Sequence, residues 1–293
     1  GIVFFDRNMA SAEQVKALTD SLQAQAEEKV PLFFAVDEEG GRVVRMRQEL
    51  EAPPAQQALA QAGDPAAARS WAAATAKRLQ ALGIQIHFAP VADLSATDTR
   101  SYSSDPAVVV DYVRAAADGY EQAHMLYSLK HFPGLGKGVT DTHLDAVQVA
   151  ADRETLIRED MMPFQAIIQE RNPDQYLMMV THVQYPALDA VYPATLSKAI
   201  MTGLLRQELG YQGIIVTDDL DMGAITKHYD LQEAGVQAVL AGADLVLVCH
   251  ETEHQKLVYQ GLLQALQDGR LDMERVDASV RRIVKAKLLY ALQ

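Results

Sequence analysis

The chain has 293 residues, 49% of them hydrophobic and 22% charged, which is enough apolar material for one large α/β domain or two ordinary ones. Its net charge of −13 argues against a nucleic-acid partner and against adhesion to an anionic membrane surface, since both need clustered Lys and Arg and no such run occurs. No stretch approaches the roughly 18–20 consecutive apolar residues of a membrane helix, and the single cysteine, Cys249, excludes an internal disulfide and is expected to be a buried structural thiol.

In chain order, short apolar runs alternate with amphipathic stretches, the pattern of βα units on a parallel sheet. Strands are predicted at 1–5, 32–37, 84–93, 125–132, 176–182, 213–219 and 243–250. Ser11 with Gln14 resembles a capping box, and Asp64-Pro65 and Asp105-Pro106 each open a helix. Further helices are expected over 153–171, 197–209, 232–241, 253–268 and 273–292. Seven strands is one short of the eight that close a TIM barrel. The chain lacks an initiator Met and starts inside a strand, so a first strand is expected upstream of Gly1. A leader or lipid anchor could have been lost with it, which leaves the compartment open, cytoplasmic or exported and lipid-anchored. The reading is therefore an α/β fold of TIM (β/α)8 type, a single catalytic barrel domain over 1–293. An open doubly wound sheet is the alternative, but the Gly-rich phosphate loop after its first strand is absent.

Nearly every predicted strand ends in a polar or ionisable group: Asp6, Asp37, Asp93, Lys130-His131, Thr181-His182, Asp218-Asp219 and Cys249-His250. In a barrel such ends converge on one face, where active sites sit, so the pattern predicts an enzyme. In 213–220 a β-branched strand delivers Asp218 and Asp219, and alternation sends one toward the cavity and the other toward the helices or a turn. A strand-end carboxylate suits attack on an anomeric carbon. A helix-capping role fits Asp219 better than Asp218. Asp141 and His143 stand at i and i+2 in a loop, where the carboxylate can hold one imidazole nitrogen while the other faces substrate. Asp37 can accept two sugar hydroxyls. Arg42 and Arg45 are read as surface charges or partners of Glu38 and Glu39, and Arg100 as a bridge to loop carboxylates or a ligand contact.

Taken together, these segments resemble glycoside hydrolase family 3, specifically its single-domain bacterial β-N-acetylglucosaminidases. The resemblance is carried in order by Asp37-x-Glu39-Gly40-Gly41-Arg42-x-x-Arg45, Phe88-Ala89-Pro90-Val91-x-Asp93, Arg100-Ser101 and Lys130-His131-Phe132-Pro133-Gly134-x-Gly136. It continues through Asp141-x-His143, His182, Tyr185-Pro186-Ala187-x-Asp189, Pro193-Ala194-Thr195-x-Ser197 and Asp218-Asp219-Leu220-x-Met222. It implies Asp218 as nucleophile, His143 as acid/base with Asp141 as its partner, and sugar contacts from Asp37, Arg45, Arg100, Lys130 and His131. It also implies no cofactor and no metal, and a glycan substrate from peptidoglycan recycling, GlcNAc–anhydroMurNAc or GlcNAc–MurNAc fragments. A monomer is expected. Leu135, Lys137 and Asp145-Ala146 depart from the common pattern around the catalytic loop.

Three other readings stand beside it. They are a broader β-glycosidase or phosphorylase of the same family, a metal-dependent hydrolase using His131, His143, His182 and His250, and a catalytically silent sugar-binding barrel. The metal reading lacks a His-x-His pair at an early strand end.

Overall fold

The computed structural model describes residues 1–26, 30–46, 51–136 and 145–291. The chain divides into two compact units, one formed by Gly1–Lys130, Glu170–Tyr176 and Val284–Gln293, the other by His131–Gln169 and Leu177–Ile283.

In the first unit, β1 (Ile2–Phe4), β2 (Phe34–Val36), β3 (Ile86–His87) and the greater part of β4 (Leu126–Phe132) pair parallel in chain order. Their registers run Ile2↔Phe34, Ala35↔Ile86 and Ile86↔Leu126. β2 is buried along its whole length and reads as an unbroken apolar run, whereas β4, equally buried, carries Ser128, Lys130 and His131 among its apolar residues. β3 is shorter than the predicted 84–93 because Pro90 has no N–H for the ladder, and pairing resumes only at Val91 opposite Lys130. Ser11 caps α1 (Ala12–Ala24) by accepting from Gln14 N, although the Gln14 amide reaches back to Ala10 rather than to Ser11. Asp64 and Asp105 cap α3 (Pro65–Ala81) and α4 (Pro106–Gln122) through the amides of Ala66 and Ala107, as the Asp-Pro pairs predict. A short α2 (Gln56–Gln61), which the sequence reading lacked, precedes them. The Ala-rich face of α3 lets α4 approach so closely that a Cβ at Gly119 would overlap the Arg69 carbonyl and lie 2.8 Å from Ala72 Cβ. Stacked rings of Tyr120, Tyr127 and Tyr176, with centroids 5.4 and 5.6 Å apart, fill the core.

In the second unit, β5 (Tyr176–Val180, entering at Leu177), β6 (Ile214–Asp219) and β7 (Leu245–Leu247) also run parallel in order. The predicted 153–171 helix is broken by a π-type segment, Leu156–Asp160, before α5 (Met162–Glu170), and α6 (Ala199–Glu208) is π-type throughout. α7 (Leu231–Ala241), capped by Asp230, packs on α8 (Thr252–Gln267) where Gly235 meets Val258 and Gly261 meets Gln232. The chain closes with α9 (Met273–Tyr290).

One buried carboxylate ties these elements together. Asp244, with a fully buried side chain, accepts from Arg206 Nη2 at 2.5 Å, Arg282 Nη1 at 3.1 Å, Ser279 Oγ at 2.6 Å and the backbone amide of Ile215 at 2.9 Å. Arg275 Nη1 stands 3.6 Å away. Burial and mutual repulsion push Arg206 and Arg275 below the ordinary guanidinium range despite the Asp244 charge.

Candidate active site

In the first unit, β2 ends at Val36 and passes Asp37, Glu38 and Glu39 into a turn at Gly40 and Gly41. Both glycines have positive φ, +103° and +58°, and a Cβ at Gly41 would stand 2.7 Å from Ala55 Cβ, so the turn admits only glycine there. Lys130, on β4 and 2% exposed, places Nζ 2.5 Å from both Asp37 Oδ1 and Glu39 Oε1. Arg100 forks onto Glu39 through Nε at 2.7 Å and Nη2 at 2.9 Å. Arg45 Nη2 is 3.6 Å from Asp37 Oδ2, and its guanidinium lies 5.2 Å above the Phe5 ring. Asp37, Arg45, Arg100 and Lys130 are thus brought into one ionic network.

Glu39 is the centre of that network, and the sequence reading had it only as a partner of Arg42 or Arg45. Instead Arg42 forks onto exposed Asp98, and Glu38 accepts the backbone amide of Arg45 at 2.7 Å. Burial pushes Glu39 up, but the Lys130 and Arg100 charges overcome it and hold the carboxyl well below its usual range. Burial lowers Lys130, and Asp37 and Glu39 more than reverse that, so Lys130 is a permanent cation. The network suits fixed hydrogen bonding to neutral hydroxyls rather than proton exchange. Nearby, burial, with the Lys130 charge adding to it, lowers His87 to about 4.

The second unit holds the other predicted residues. His131 and Phe132 end β4, both buried, and the amide of Gly134 donates to the His131 carbonyl at 2.8 Å. Asp218 is half-buried at the end of β6, and its Oδ1 accepts from the Asp219 amide at 2.9 Å. Asp219 is buried, and its Oδ1 accepts from the amides of Asp221 at 3.1 Å and Cys249 at 3.0 Å, so it anchors the turn after β6 rather than capping the next helix, which corrects the expected capping role. Its Oδ2 lies 3.3 Å from His250 Nε2. Burial, assisted by the Asp221 charge, pushes Asp219 up to about 6. Cys249 is only partly buried, which corrects the expectation of a buried thiol: β7 ends at Leu247 and is itself half-exposed. Asp221, which sequence reasoning passed over, accepts from the amides of His250 and Glu251 and from His254 Nδ1 at 2.5 Å, joining β6 to the start of α8. Asp141 and His143 lie outside the described residues. Among the described residues, no group of three or more His, Cys, Asp and Glu is placed to hold a metal ion.

His87 and Asp219 carry opposite pH dependences. As pH falls from about 6.5 to 4, the unfolded chain protonates His87 and the folded chain does not, so stability drops by about 3 kcal/mol. From about 6 down to 4 the folded chain protonates Asp219 and the unfolded chain does not, so stability rises by about the same amount. Asp219→Asn removes the second contribution. In urea unfolding it is expected to lose about 3 kcal/mol more than the parent between pH 6.5 and 4. Superimposable pH profiles for the two proteins would contradict this.

A structure of a family 3 β-N-acetylglucosaminidase from Paenibacillus sp. superposes with a TM-score of 0.95 at 40% identity, covering 99% of this chain and 56% of that one. Beta-hexosaminidase A of Pseudoalteromonas piscicida is 34% identical over 98% of this chain and 53% of its own length. A beta-hexosaminidase of Alkalilimnicola ehrlichii is 38% identical over 86% of this chain and 74% of its own length. The chain therefore spans little more than half the length of the first two. The family model described as the glycosyl hydrolase family 3 N-terminal domain matches residues 1–286, and the chain belongs to that family.

Proposed function

We propose that the chain is the catalytic domain, of (β/α)8 type, of a retaining exo-β-N-acetylglucosaminidase that removes terminal GlcNAc from peptidoglycan-derived fragments. The observation that carries the reading is the 40% identity, over 99% of the chain, to a protein described as a β-N-acetylglucosaminidase. The beta-hexosaminidase relatives support the same substrate class. In this mechanism the Asp218 carboxylate attacks the anomeric carbon as the bond to the leaving oxygen breaks, and His143 gives that oxygen its proton. Water then attacks the glycosyl–Asp218 ester, His143 takes the proton from water, and the sugar leaves with its β configuration. Asp141 orients the imidazole. Asp37, Arg45, Arg100, Lys130 and His131 hold the sugar, and the ionic network around Glu39 gives four of them fixed positions.

Release of chromophore from an aryl β-N-acetylglucosaminide tests the activity. His143→Ala is expected to slow substrates with poor leaving groups by about 100-fold or more, and activated aryl glycosides far less, because only the former need protonation of the departing oxygen. Equal losses on both would remove His143 from the acid role.

A further inference from the structure

The carboxylate of Asp218 is aimed by the residue that follows it, and that residue is itself held from another strand. His182, 2% exposed just beyond β5, points Nε2 at the carbonyl oxygen of Asp219 at 2.8 Å. Its Nδ1 lies 2.7 Å from Thr195 Oγ1, and Thr195 is fully buried with its amide donating to the Thr181 carbonyl at 3.1 Å. Residue 219 is then pinned at its carbonyl by His182, at its carboxylate by the amides of Asp221 and Cys249, and its own amide donates to Asp218 Oδ1.

We propose that His182, oriented by Thr195, is a positioning residue for the nucleophile: its Nε2–H holds the Asp219 carbonyl so that the Asp219 amide fixes one oxygen of Asp218. The inference rests on Asp218 being the nucleophile.

The chemistry of the contacts sets the proton. A carbonyl oxygen only accepts, so Nε2 must carry hydrogen. In the neutral ring Nδ1 accepts from the Thr195 hydroxyl. In the cationic ring Nδ1–H donates to it, and the hydroxyl turns to the Thr181 carbonyl 3.3 Å away. The clamp keeps its donor in both states, so it positions Asp218 without adding a titration to the reaction. A residue that only fills space in the core would depend on its volume and not on a donor at Nε2.

The test compares His182→Leu, His182→Gln and Thr195→Val with the parent and with Asp218→Asn on an activated aryl β-N-acetylglucosaminide. Leucine keeps volume without a donor, whereas the glutamine amide nitrogen can take the place of Nε2. His182→Leu is expected to lower kcat and kcat/KM together by about ten- to a hundred-fold with KM unchanged, the effect of misplacing a reacting group by about 1 Å. His182→Gln should recover to within about threefold of the parent, with both limbs of the pH profile in place, and Thr195→Val should fall between the two. Leu and Gln variants of equal activity, or a loss confined to KM, would overturn the clamp. If His182→Leu does not fold, Thr195→Val with parental kcat overturns it equally. Turnover by Asp218→Asn would instead refute the nucleophile assignment, whereas an inactive Asp218→Asn beside a fully active His182→Leu refutes the clamp alone.

Discussion

Asp244→Leu is expected to destabilise the protein by about 3–5 kcal/mol, enough to lower Tm by roughly 10 °C or to prevent folding at 37 °C. The carboxylate is fully buried, and three arginines approach it, with Arg206 itself only 11% exposed. Removing the one anion leaves Arg206, Arg275 and Arg282 repelling one another with little water to screen them. It also strands the Ile215 amide and the Ser279 hydroxyl that Asp244 accepts from. Asp244→Asn retains acceptor oxygen but no charge, so its loss should be distinctly smaller. Equal losses for Asn and Leu would mean that packing, not charge, sets the cost. Urea titrations of the three proteins at neutral pH decide it.

The largest effect on activity belongs to Asp218→Asn, for which a fall in kcat of at least about a thousand-fold is expected. Asparagine has nearly the same shape and still offers Oδ1 to the Asp219 amide, so the end of β6 should be unchanged and Tm should stay within a few degrees. The amide nevertheless has no charge with which to meet the developing oxocarbenium ion or to form a glycosyl ester. A variant that folds like the parent and retains a tenth of its turnover would exclude Asp218 as the nucleophile.

The strands were legible in the sequence because buried parallel strands are largely apolar, as β2 and β5 are throughout and β4 is apart from Ser128, Lys130 and His131. The helix starts at Asp64 and Asp105 were legible because Asp-Pro supplies both an acceptor for the first amides and a φ suited to the first turn. The π-type segments were not, since one extra residue per turn blurs a 3.6-residue pattern without changing its composition. In the site, Asp37 and Lys130 stood out by their place at strand ends, and Arg100 as an arginine in the segment that follows one. Glu39 did not, because its partners lie 61 residues away at Arg100 and farther still at Lys130, and nothing local separates it from Glu38. Asp221 escaped notice for the same reason: it accepts from His250, Glu251 and His254, all on the far side of α7 in the chain.

The ionic network around Lys130 also constrains how this chain can diverge. Lys130 neutralises two carboxylates, and Glu39 in turn neutralises two cations, so no member can be lost without leaving a buried charge exposed to repulsion. Substitutions at positions 39, 100 and 130 are therefore strongly epistatic, each deleterious alone and tolerable only once its counterpart has changed. Three positions scattered across a third of the sequence behave as a single heritable unit, and sequence drift in this domain is channelled around them.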